Sequence, residues 1–321
     1  MITELLSNPI LLLLAGLVLL LAGARSLVDG SVSIAKKFNI PTIIIGMTIV
    51  AFGTSLPELI VNILSSLQDK DALAFGNIIG SNISNILLIL GLTAIVYPTT
   101  VDKISVKRDL PFSIAITFFV LWIVSKKPVI SLSDGVALLF MFGIFLYFTF
   151  FLKNKGGSFD DEVEVIKSKK LNSVNSIVFI MFGIFGLSLG GRWVVDGASS
   201  IATSFGISES VIGLTIVAIG TSLPELATSL VAAFKKESDI VIGNIIGSNI
   251  FNLLWILGLS AVINAPISIP PNAYIDVLVA ALATIILFLM LAHKSPHELT
   301  RKGGIMFVSM YIIYVATIIM R

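Results

Sequence analysis

The 321-residue chain contains no cysteine. Disulfides, thiolate metal sites and cysteine nucleophiles are therefore excluded. Histidine is nearly absent: the two, His293 and His297, fall in one polar segment, which leaves little for soft-metal chemistry. Charged residues make up 12% of the chain and hydrophobic ones 56%, whereas soluble domains are about 25% charged. At a mean hydropathy of +1.03, so few charges could not cover a water-soluble globule of this size. Neither sign is in excess: 21 basic against 19 acidic residues give no electrostatic footprint for nucleic acid. The apolar content excludes disorder, and the lack of a glycine period excludes collagen.

What the chain does have is a series of long apolar runs. About 20 such residues cross a bilayer as a helix. Ten segments qualify, at 9–35, 40–66, 72–97, 110–125, 132–152, 174–203, 208–233, 239–264, 273–292 and 303–320. The expected fold class is an all-α membrane protein of ten transmembrane helices. The fourth is short, and the first and sixth are long enough to tilt. The acidic start Met1-Ile2-Thr3-Glu4 and the lack of an obvious cleavage site argue against a cleaved signal peptide. Ten spans place both termini on one side, with Lys70, Lys126, Lys127 and Arg321; 15 other basic residues fall on the opposite side. The side richer in Lys and Arg is cytoplasmic, so both termini are expected outside. Segment 154–173, with Asp160, Asp161, Glu162, Glu164, Lys167, Lys169 and Lys170, reads as a solvated cytoplasmic linker. It lacks the EF-hand pattern.

The chain repeats itself. Shifted by 167 residues, Gly23–Ala94 aligns without a gap on Gly190–Ala261, and 38 of 72 positions are identical. Gly53-Thr54-Ser55-Leu56-Pro57-Glu58-Leu59 recurs as Gly220-Thr221-Ser222-Leu223-Pro224-Glu225-Leu226, and Gly76-Asn77-Ile78-Ile79-Gly80-Ser81-Asn82-Ile83 as Gly243-Asn244-Ile245-Ile246-Gly247-Ser248-Asn249-Ile250. Equivalent points are five spans apart, and an odd number reverses direction through the membrane. Two inverted five-helix halves are expected, 1–153 and 174–321, as in secondary transporters with sites at the repeat interface near the midplane.

Ionisable groups in hydrocarbon are costly. Two carboxyls lie deep in the spans, Glu58 and its repeat equivalent Glu225. Each follows a proline and a Gly-Thr-Ser triplet, which should break the helix and free backbone carbonyls toward a cavity. Ser81 and Asn85, and likewise Ser248 and Asn252, are four apart and share a helix face. A pocket of oxygens alone suits calcium, sodium or magnesium, and calcium best tolerates irregular geometry. Two glutamates carry charge −2, which one calcium or about two sodium ions would neutralise. Arg25 with Asp29 and Arg192 with Asp196 read as neutralising i,i+4 pairs. An intramembrane protease is disfavoured, because His297-Glu298 lacks the second histidine of H-E-x-x-H and has Arg301 instead. No enzymatic activity or cofactor is expected.

The doubled G-T-S-L-P-E and G-N-I-I-G-S-N-I blocks resemble the alpha-repeats of the sodium/calcium exchangers, in the cation/calcium antiporter superfamily, and the short central loop is similar to that of prokaryotic members. The resemblance implies antiport of intracellular calcium against sodium by alternating access, in the inner membrane of a prokaryote, with no obligatory protein partner. It implies calcium ligation by Glu58 and Glu225 with the Thr54 and Thr221 carbonyls. One sodium site would use the Ala51 carbonyl, Thr54, Ser81 and Glu225, its mirror the Ala218 carbonyl, Thr221, Ser248 and Glu58. Asn85 and Asn252 would flank the centre. Some relatives, including potassium-dependent ones, carry aspartate at the position of Asn252; its absence here disfavours potassium cotransport and removes one possible proton site, and proton- or potassium-coupled antiport is the alternative reading. The long first and sixth spans are the candidate moving gate.

Overall fold

Several of the long helices start where a side chain satisfies their free N–H groups. The computed structural model describes residues 8–152, 171–206, 218–271, 273–293 and 296–320. Helix α1 (Pro9–Lys37) is capped by Asn8, whose Oδ1 accepts from the N–H of Ile10 and Leu11 at 3.0 and 3.2 Å, with proline at the first position. Helix α2 (Thr42–Thr54) meets α3 (Leu56–Leu67) at a bend of 47°. Helices α4 (Asp71–Val96), α5 (Ser105–Lys126), α6 (Leu132–Phe150) and α7 (Ser173–Ser204) follow. A helical turn at Ala218–Gly220 leads into α8 (Leu223–Phe234). The chain closes with α9 (Ser238–Ile263), α10 (Ala273–Ala292) and α11 (Arg301–Ile319). A Ser131–Asp134 capping box starts α6.

Among the described residues, seven helices are long and apolar enough to cross a membrane, and the α2–α3 pair qualifies as one broken span. The helices coincide with the expected segments, with two differences. The fourth span is not short: α5 begins at Ser105, because Arg108 and Asp109 pair at 2.7 Å and their charges no longer end the helix. The expected run 208–233 is described only from Ala218 onward. Most of the linker (154–170) lies outside the described residues. The all-α expectation needs one small amendment: Thr99–Thr100 pairs antiparallel with Glu298–Leu299, and Val129–Ile130 with Ile267–Ser268. Each ladder joins the first half of the chain to the second.

Burial sorts the helices. The apolar windows of α4 and α9 are 78% and 94% buried, whereas those of α1, α5, α6, α7 and α10 are 28–39% buried. Helices α4 and α9, which carry the G-N-I-I-G-S-N-I blocks, therefore form the centre, and the less buried helices expose large apolar side chains such as Val18, Phe140 and Val174 outward, as lipid-facing surfaces do. The second G-x-x-x-G copy brings α9 onto α2: a Cβ at Gly243 would lie 2.8 Å from the Gly46 Cα, and one at Gly247 2.7 Å from the Ala51 Cβ. Helices α1 and α7 meet along a glycine seam. Gly16 and Gly23 pack against the stretch of Gly183, Gly186 and Gly190, Gly30 packs against Ser176 and Ile180, and a Cβ on any of these six glycines would lie within 2.5–3.1 Å of the opposing helix.

Candidate cation site

Ser55 is the residue at the α2–α3 break, and Pro57, in the first turn of α3, has no N–H for the carbonyl four residues back. Glu58 follows in that first turn, where the helix N-terminus favours an anion. The second copy is built alike: Ser222 caps α8, with Pro224 and Glu225 in the first turn. Both carboxyls are 1% exposed. They lie close enough for Glu225 to repel Glu58 electrostatically. Neither oxygen of Glu58, nor Glu225 Oε2, has a hydrogen-bond partner. No basic side chain pairs with either glutamate among the described residues.

Hydroxyls from both halves gather at Glu225, and a mirrored set of hydroxyls and amides forms in the other copy. Ser55 Oγ donates to Glu225 Oε1 at 3.0 Å and lies 3.0 Å from Ser248 Oγ. Thr54 Oγ1 lies 3.0 Å from Asn244 Oδ1, 3.2 Å from the Ala51 carbonyl and 3.5 Å from Ser248 Oγ. The other copy repeats the pattern: Thr221 Oγ1 donates to Asn77 Oδ1 at 3.1 Å, and Ser222 Oγ lies 3.4 Å from Ser81 Oγ. Asn85 and Asn252 are buried beside these serines, on stretches where α4 and α9 widen to π-helix, Asn85–Leu90 and Phe251–Ile256. Such bulges recur at functional sites.

The hydroxyls meet in a different grouping from that of the expected sodium sites. Ser248, not Ser81, meets Thr54 and Ser55 on the Glu225 side, and Ser81 meets Ser222. Ser55, Ser222, Asn77 and Asn244 were not among the expected site residues. The two serines sit inside the repeated motif, and their doubled occurrence between threonine and the proline-glutamate pair was the available signal. Ala218 begins the described part of the second copy. Arg192 does pair with Asp196, at 3.6 Å. Asp29 instead pairs with Lys235, at 2.5 Å, and Arg25 is exposed.

The sodium/calcium exchanger protein family model matches residues 8–151 and 175–320. The chain belongs to the sodium/calcium exchanger family. It is 40% identical over 311 residues to the inner membrane protein YrbG of Escherichia coli, covering 95% of each chain. It is 29% identical to the sodium/calcium exchanger MaX1 of Methanosarcina acetivorans, covering 96% of this chain and 97% of that one. The solved structure of the sodium-calcium exchanger NCX_Mj, soaked with sodium and calcium, superposes with a TM-score of 0.83 at 36% identity, over 96% of this chain and 97% of that one. This exchanger-family chain is thus an all-helical membrane protein.

Proposed function

We propose that the protein is a secondary antiporter that moves calcium out of the cell in exchange for entering sodium, by alternating access. The observation that carries this is the pair of buried glutamates with three carboxylate oxygens lacking any protein partner, amid neutral oxygen donors. An unpaired buried carboxylate is costly, and a bound cation offsets that cost. Glu58 and Glu225, with the Thr54 and Thr221 carbonyls, hold calcium. The hydroxyl geometry supports sodium shells regrouped as Ala51 carbonyl, Thr54, Ser55, Ser248 and Glu225, and as Ala218 carbonyl, Thr221, Ser222, Ser81 and Glu58. Asn85 and Asn252 flank the centre. Family membership and the likeness to NCX_Mj support sodium as the coupled ion, and neutral Asn252 speaks against a proton site at that position.

Ten spans in two inverted halves, 1–153 and 174–321, joined by a cytoplasmic linker at 154–173, form the carrier. The two reciprocal strand ladders and the mirrored hydroxyl pairs support a pseudo-twofold relation. The likeness to an E. coli inner membrane protein and the count of basic residues support a prokaryotic inner-membrane location with both termini outside. Helices α1 and α7 are the moving gate. Calcium flux in proteoliposomes under separately imposed sodium, potassium and proton gradients is the test. Uptake driven by an opposed sodium gradient alone supports the reading; uptake without any opposed gradient refutes antiport.

A further inference from the structure

Four buried asparagines meet where α4 and α9 cross. Asn82 Nδ2 donates to the backbone carbonyl of Asn249, and Asn249 Nδ2 to that of Asn82, each at 3.2 Å. A backbone carbonyl can only accept, so each of these amides has one permitted orientation. Their Oδ1 atoms in turn accept from Asn252 Nδ2 and Asn85 Nδ2, each at 2.9 Å. The second pair is thereby oriented as well. The Oδ1 atoms of Asn85 and Asn252 point out of the network and have no partner, although both residues are 1% exposed. Asn85 and Asn252 each follow a site serine by four residues, on the same helix face.

We propose that Asn82 and Asn249 are positioning residues that hold Asn252 and Asn85 with oxygen, not nitrogen, toward the cation. The inference rests on the exchange reading above and names the devices that polarise its centre. A flipped amide would present N–H dipoles to a cation and repel it. The two backbone carbonyls are the fixed reference, and each hydrogen bond transmits that polarity one step nearer the site. A polar contact that merely glues two helices would not need to reach residues on the site face.

The test is a double-mutant cycle on calcium binding by the full-length purified protein, read by titration calorimetry. Asn82→Ala should weaken calcium binding roughly 10–100-fold, as loss of a partner that orients a metal ligand does. In an Asn252→Ala background the same change should have no further effect. Asn249→Ala should couple to Asn85→Ala in the same way, and this mirror arm decides the matter if one variant does not fold. Weakened binding that is equal in both backgrounds overturns the proposal, as does a lower melting temperature with unchanged calcium affinity. Sodium-driven calcium flux by the unaltered protein is measured alongside. A protein that binds calcium but does not exchange it refutes the exchange reading, while the binding cycle still judges the asparagines.

Discussion

Replacing Glu58 with glutamine should separate stability from cation binding. Neither carboxylate oxygen of Glu58 has a protein partner, and Glu225 repels it. Without cations, Glu58→Gln removes a like-charge repulsion and one desolvated charge. An unpaired buried carboxylate is costly, so at a pH where Glu58 is ionised the cation-free variant should melt at a higher temperature than the unaltered protein. With calcium the sign reverses. At about 4 Å and an effective dielectric near 20, a unit charge interacts with sodium by about 4 kcal/mol and with a divalent ion by about 8. The difference of about 4 kcal/mol corresponds to roughly a thousand-fold loss of calcium relative to sodium. Saturating calcium at about 100 times its dissociation constant raises stability by about 2.7 kcal/mol, and most of that increment should vanish. The assay is a thermal melt of detergent-solubilised protein with and without calcium and sodium. An unchanged calcium increment in Glu58→Gln would remove this residue from the site, whatever its effect on the cation-free protein.

Glu225→Gln should lose calcium flux like its mirror and gain less in cation-free stability, because Ser55 already donates to Glu225 Oε1; melts of both variants side by side check this. Gly190→Val should lower stability by about 1–3 kcal/mol through overpacking, since even a Cβ there would lie 2.5 Å from the Leu20 nitrogen; a thermal melt reads the loss. Crosslinking α1 or α7 to the central helices should abolish exchange, and undiminished flux would reject their role as a gate. Burial raises the Glu237 carboxyl above its ordinary value of 4.5. The folded state then holds that proton more tightly than the unfolded chain does, so stability falls as pH rises from about 4.5 through the raised value. Glu237→Gln should flatten that part of the stability–pH profile.

The helices and the break were legible because each rests on local chemistry. Apolar runs of bilayer length, the missing N–H of Pro57 and the capping side chains all act within a few residues. The start of α5 was misjudged for a physical reason: hydropathy counts Arg108 and Asp109 as two charges, whereas they are one neutral pair. Asp29 shows the opposite failure, in which a plausible i,i+4 partner lost to Lys235, just past the end of α8. The serine grouping was beyond reach for a different reason. Ser81 and Ser248 are equivalent under the repeat, so periodicity cannot tell which one meets Thr54. Only the crossing of α4 and α9 decides it, and that crossing is a property of packing between the halves.

That crossing also bears on which parts can move. The amides of Asn82 and Asn249 tie α4 to α9 through each other's backbone, and the Thr54–Asn244 and Thr221–Asn77 bonds tie each broken segment to the opposite half. Separating the halves would break these buried bonds together, each leaving polar groups unpaired at a cost of about 1–3 kcal/mol. Motion there is opposed by a network. The α1–α7 seam is different in kind. Its close contacts set glycines against opposing backbone and a few side-chain atoms, those of Trp193, Ile180 and Leu27. Sliding along the seam breaks one buried side-chain bond, Ser176 Oγ to Ser33 Oγ at 2.9 Å, whereas opening the centre breaks several. If exchange proceeds by alternating access, the central helices therefore hold the oxygens in place while the glycine-lined pair carries the displacement. Bulk added along the seam, as in Gly23→Val, should then slow calcium turnover in vesicles while leaving equilibrium calcium affinity unchanged. A matched loss of affinity would place the moving element elsewhere.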